Sequence, residues 1–231
     1  MPRLQLVFEK QWLHLLLLAI LLMGVTWVTQ LDHMNIGMFL GIQTPEWFWF
    51  AIWIPIAHQI FIWFCWRTQL HGKLITRIFG KLGFPVYALI FSFFGISRFV
   101  AILALSISNR DTLVMEILVL RIFAIIITIP ALYLLYSVIC YFSFKRAMGL
   151  DHFDETYRRK PLVQKGIFRF TRNGMYIIGF LFLWIPALWY GSVAALCAAL
   201  FNHLYIWVHY FSTELPDMKH IYGETSLNTG D

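Results

Sequence analysis

Charge is scarce in this chain. Asp, Glu, Lys and Arg together make up 13% of its 231 residues, against 60% hydrophobic, which leaves too little polar surface for an ordinary soluble domain. Cysteine is scarcer still, at three residues. Cys65, Cys140 and Cys197 show neither pairing nor metal-ligand spacing, so they are expected to pack rather than to bridge or bind. His58, His203 and His209 also lack a ligand spacing, and no metal is expected. The chain has no Gly-rich phosphate loop and no G-x-S-x-G nucleophile elbow. No small-residue cleavage pattern follows the first apolar run, no internal repeat is visible, and nothing marks a second domain. The surplus of basic residues gives a formal net charge of +6, but no nucleic-acid recognition motif accompanies it.

What is present is apolar sequence in runs of membrane-spanning length, roughly 17 to 25 residues. They fall at Trp12 to Thr29, Glu46 to Cys65, Phe84 to Ser106, Leu113 to Phe142, Met175 to Tyr190 and Ser192 to Phe211. The expected fold is an all-α polytopic membrane protein of about six transmembrane helices. Residues 1–145 carry the first four, and residues 146–231 carry a basic loop, a C-terminal helical hairpin and a tail, all within one integrated membrane domain. Lys and Arg concentrate in alternate connections: Arg3 and Lys10, then Arg67, Lys73, Arg77 and Lys81, then Lys145, Arg146, Arg158, Arg159, Lys160, Lys165, Arg169 and Arg172. The positive-inside rule places those connections in the cytoplasm, in a bacterial inner membrane or the endoplasmic reticulum. Asn35 and Asn109 then belong to outer loops.

Chemistry concentrates in two segments. KPLVQKGIFRFTRNGMY, Lys160 to Tyr176, runs from a basic loop into an apolar helix, and HYFSTELPDMKHIYG, His209 to Gly223, leaves the last helix with an acidic residue. At about 100° per residue, His203, Tyr210 and Glu214 share one stripe of that last helix, and Asn202, His209 and Thr213 a neighbouring one. Such a polar face either forms an interhelical hydrogen-bond ladder or lines a cavity. The basic cluster is either a topology signal or an anion site. Asn173 suits the N-cap of the fifth helix, where Arg169 and Arg172 flank a helix start able to hold a carboxylate or phosphate. Arg98 and Arg121 lie inside spans and call for an anionic partner, expected in a structural ion pair, with Glu116 a candidate, or a lipid-headgroup contact, and with a substrate role as the alternative.

GIFRFTRNGMYIIG resembles the G-x-[YF]-[RK]-[YF]-x-R-[HN]-P-x-Y-x-G signature of integral-membrane methyltransferases, which include isoprenylcysteine carboxyl methyltransferases and phosphatidylethanolamine N-methyltransferases. ELPDMKHIYG is similar to the ending of the phospholipid branch. The resemblance covers roughly residues 160 to 224 and departs at Gly174, where the family has Pro, and at Leu215, where it has a second acidic residue. It implies S-adenosylmethionine as cofactor, held by Lys165, Gly166, Phe168, Asn173, Met175, Tyr176, Tyr210 and Glu214, with Glu214, Arg172 and His203 as catalytic residues. The implied partners are membrane lipids and a lipid or lipid-anchored acceptor. A phosphatidylethanolamine-type amine is the leading acceptor. A prenylcysteine carboxylate, a small thiol, a nicotinamide-dependent reductase of sterol type and a non-catalytic membrane protein retaining the fold are the alternatives.

Overall fold

The computed structural model describes residues 3–159 and 161–223; Lys160 of the expected basic cluster lies outside them. Among the described residues, five helices are long and apolar enough to cross a membrane: Leu4–Val28, Thr44–Gly72, Leu74–Ser108, Ile117–Phe142 and Val193–Tyr222. Inside a bilayer the backbone has no water to bond, so a helix, which satisfies its own amides, is the form these runs take. The chain is an all-α, polytopic integral membrane protein. Within the spans, α1 is Gln11–Val28, α2 Thr44–Gly72, α3 Gly83–Ser108 and α4 Ile117–Ser137.

The expected fifth span is shorter than a membrane helix. Gly174–Trp189 divides into a turn of helix at Gly174–Ile177 and α5, Leu181–Trp189. Between them the backbone tightens into three-residue bonds, Leu181 N–H to Ile178 O and Leu183 N–H to Phe180 O, both at 3.0 Å. After the Tyr190–Gly191–Ser192 turn comes α6, Val193–His209, capped by Ser192 Oγ accepting from Ala195 N–H at 3.1 Å. The antiparallel α5–α6 hairpin expected from that turn is therefore present.

Helix α6 sits at the centre of the bundle, in contact with α1, α2, α3 and α5. Its face of Ala194, Ala195, Ala198 and Ala199 is wholly buried, because small side chains let neighbouring backbones approach closely. Polar groups on the helix serve specific backbone defects. Pro55 in α2 has no N–H, which leaves the carbonyl of Ala51 without its helical donor. Asn202 Nδ2 donates to that oxygen at 3.2 Å. Asn202 thus belongs to interhelical bonding, one of its two expected roles.

Asn109 corrects the sequence expectation of an accessible outer loop, being buried at 1% exposure. Its amide donates to His33 O at 2.8 Å and Ile36 O at 2.9 Å. Its Oδ1 accepts from Thr112 Oγ1 at 2.8 Å and from Ser192 Oγ and Ala194 N–H at 3.0 Å each. One side chain therefore ties two connections and the start of α6. An unsatisfied buried polar group costs about 1 to 3 kcal/mol, and removing Asn109 orphans several. Asn109→Ala should lower stability by about 2 kcal/mol or more, read as the unfolding midpoint in mixed detergent. Asn35 is exposed. A cysteine there should react with an impermeant thiol probe on intact cells, and one at Asp154 should not.

Candidate active site at the basic end of the bundle

Helix α6 does not end at His209. It runs through a π-helical turn, Tyr210–Glu214, into α7, Leu215–Tyr222. Pro216 again removes a donor, this time from Ser212 O. Gln11 Nε2 and Arg67 Nη2 replace it, each at 3.2 Å. The same Arg67 nitrogen donates to Thr213 O at 3.2 Å, and its Nε meets Asp217 Oδ1 at 2.6 Å. Arg67 has no exposed surface. In the sequence it counts only as one more basic residue beside a loop; its signal is the orphaned carbonyl that Pro216 creates.

The π turn corrects the expected stripe. The wider turn shifts the register of Glu214 relative to the α-helix before it; Tyr210 and Glu214 both line the cavity described below, and His203 does not. His203 instead accepts from Trp184 Nε1 at 3.2 Å beside the Phe180 ring. His209 takes its place facing the interior.

The connection from α4 folds over this end. Its chain reverses at Gly149, with φ of +84°, where a Cβ would come within 2.5 Å of the Trp66 indole. His152 then stacks on that indole with ring centroids 4.1 Å apart. His152 Nδ1 lies 3.2 Å from Asp151 Oδ1, and its Nε2 lies 3.3 Å from Asp217 Oδ2. Tyr222 O–H donates to Asp151 Oδ2 at 2.7 Å and accepts from Arg146 Nη2 at 3.1 Å. The connection, α2 and α7 are therefore fastened by one polar network. Burial by itself would lower the His152 pKa, but hydrogen bonds and charge from Asp151 and Asp217 outweigh it and raise it from 6.5 to about 9. The Asp151 carboxyl is held below its ordinary value: burial opposes this, and His152, Tyr222 and Arg146 prevail.

Beneath this cover lies a cavity of about 660 Å³, within the range of small-molecule sites. Phe168, Arg172, Asn173, Met175, Tyr176, Tyr210 and Glu214 all line it. The Tyr176 hydroxyl donates to Glu214 Oε2, and the Tyr176 ring lies 5.2 Å from that of Tyr210 and 5.7 Å from that of Trp207. Asn173 occupies the N-cap position of Gly174–Ile177 without capping it; its side chain bonds Tyr210. Gly174, as the first residue of that turn, stands where proline is also readily accommodated.

Lys165, Gly166 and His203 lie outside the cavity lining. Lys165 is exposed. Gly166, with φ of +63°, packs so closely on Ser137 that a Cβ would come within 2.5 Å of its Oγ, a backbone role one step behind the wall. Asp151, His152, Lys219 and Tyr222 also line the cavity and were missed by the sequence reading. Arg98 and Arg121 do not meet Glu116: their guanidinium groups lie over the rings of Phe180, at 5.6 Å, and Trp189, at 5.4 Å. Among the described residues no cluster of His, Cys, Asp and Glu has metal-site geometry.

A helical membrane protein with cations, a carboxylate and aromatic rings around one closed-over cavity has the makings of a membrane-embedded enzyme. Residues 119–225 match the model of the phospholipid methyltransferase family. No curated protein and no solved structure matches the chain.

The His152 network makes stability depend on pH in a defined sense. A group whose folded-state pKa is raised contributes fully below its unfolded value of 6.5 and loses that contribution as pH climbs through about 9. Thermal unfolding in neutral detergent should show a midpoint that falls between pH 7 and 10, and His152→Phe should flatten the profile.

Proposed function

We propose that the protein transfers a methyl group from S-adenosylmethionine to the amine of a phosphatidylethanolamine-type lipid, with the site open to the cytoplasm. One observation carries this reading: Arg172, Asn173, Tyr176 and Glu214, from segments far apart in the chain, converge on a single cavity inside the family-matched region. The residues present suit the cofactor. A cationic sulfur fits against aromatic faces, here Tyr176 and Tyr210, and a carboxylate suits Arg172 or Lys219. Glu214 is the acidic counterpart for an ammonium.

Bound, S-adenosylmethionine supplies a methyl group on a cationic sulfur. The chain supplies alignment, desolvation and proton management. The cover of His152, Tyr222 and α7 restricts water, and restriction of position alone removes much of the barrier to an in-line displacement. An ammonium must lose its proton before it attacks. Glu214, fixed in orientation by the Tyr176 hydroxyl, is placed to accept that proton or to order the water that does.

Purified protein given labelled S-adenosylmethionine and phosphatidylethanolamine should yield methylated ethanolamine lipids, at a rate that rises as the amine becomes neutral. Glu214→Gln should weaken cofactor binding about tenfold to a hundredfold, the usual effect of losing a charge-assisted contact, without unfolding the protein. Retention of NADPH in place of S-adenosylmethionine would overturn the reading. Transfer to a prenylcysteine or small thiol with ethanolamine lipids untouched would replace the acceptor.

A further inference from the structure

The cavity is not confined to the basic end. It continues inward to His58, Gln59 and Arg98, residues of α2 and α3 that lie outside the family-matched region. His58 is the midpoint of α2, whose 29 residues make a rod of roughly 43 Å. This end of the cavity therefore lies near the centre of the bilayer, where water is absent and polar groups are costly.

These side chains are buried and short of partners. Exposure is 3% for His58, 0% for Gln59 and 7% for Arg98. Among the described residues, neither ring nitrogen of His58, neither amide atom of Gln59 nor Nε of Arg98 has a hydrogen-bond partner. Arg98 Nη2 lies 3.5 Å from Pro55 O, and its guanidinium lies over the Phe180 ring. Among the described residues it makes no ion pair. Structural polar groups in a membrane interior bond one another, as Asn202 and the Ala51 carbonyl do. A set that lines a cavity and leaves this many of its polar atoms unanswered is arranged for something that enters.

We propose that the inner end of the cavity binds an anionic oxygen group of the methyl acceptor, with Arg98 as the counter-charge and His58 and Gln59 as hydrogen-bonding partners. Calling the ligand part of the acceptor rests on the methyltransferase reading; the anion site itself does not. Arginine stays protonated and presents a fork of N–H donors matched to carboxylate and phosphate, and the two neutral side chains can donate without adding charge. An uncharged hydroxyl would leave the guanidinium uncompensated. The ligand is thus a phosphate drawn below the headgroup layer or a carboxylate on an apolar stem, and the acceptor spans the cavity from Arg98 toward Glu214.

The test uses full-length protein in neutral detergent, titrated with dodecyl phosphate, dodecanoate and dodecanol at fixed micelle concentration, with S-adenosylmethionine affinity measured on the same samples. One or both anions should bind about ten- to a hundredfold more tightly than dodecanol. In Arg98→Gln that gap should close while cofactor affinity stays at the wild-type value. If Arg98→Gln does not fold, Gln59→Leu and His58→Leu decide: each should narrow the gap. A preference for dodecyl phosphate identifies a phospholipid phosphate as the source, and a preference for dodecanoate a carboxylated acceptor. Equal binding of the three probes to wild type, or a gap that survives in the variants, overturns the subsite. Loss of S-adenosylmethionine binding with the gap intact would instead sink the methyltransferase reading alone.

Discussion

The ion pair and hydrogen bonds of Arg67 are the constraint on which the site depends. A guanidinium without exposed surface is tolerated only where every side of it is answered. Here Asp217 supplies the charge, the carbonyls of Ser212 and Thr213 take Nη2, and the carbonyl of Leu6 takes Nη1. Those carbonyls are available because Pro216 and the π turn disturb the helical ladder at that point. The proline, the turn and the arginine explain one another, and Glu214 lies in the turn they stabilise. A straight α-helical continuation of α6 would aim that carboxylate elsewhere.

Arg67 also joins the two parts of the molecule. It projects from α2 and grips the segment that the family match covers. Asp217, its partner, simultaneously faces His152 on the connection over the cavity. Helices outside the matched region are therefore part of the site's construction. Through His58, Gln59 and Arg98 they also form the inner wall of the cavity.

The same physical device recurs at a distance. Pro55 and Pro216 each orphan a carbonyl, and each is answered by a polar side chain from another helix: Asn202 in the first case, Gln11 and Arg67 in the second. In a bilayer such a carbonyl has no water to fall back on, so the answering residue is fixed in position as strictly as the proline. This is why several polar residues in these spans are structural, and why those that answer no orphaned carbonyl and line the cavity carry the proposed subsite.

By itself the sequence determined the class of fold, since long apolar runs in lipid have no form but the helix, and it singled out the GIFRFTRNGMY and ELPDMKHIYG segments, residues of which line one cavity. The tight Tyr190–Gly191–Ser192 turn was enough to bring those segments to one end. Only the tertiary structure decided which side chains face the cavity. The π turn separates His203 from Glu214, a register change that no fixed 100° periodicity contains, and Asn173 turns from its helix to Tyr210. Asp151, His152 and the buried Arg67 acquire their roles through partners distant in sequence. Charge and hydrogen-bond satisfaction are properties of neighbours in space, and a list of residues in order does not hold them.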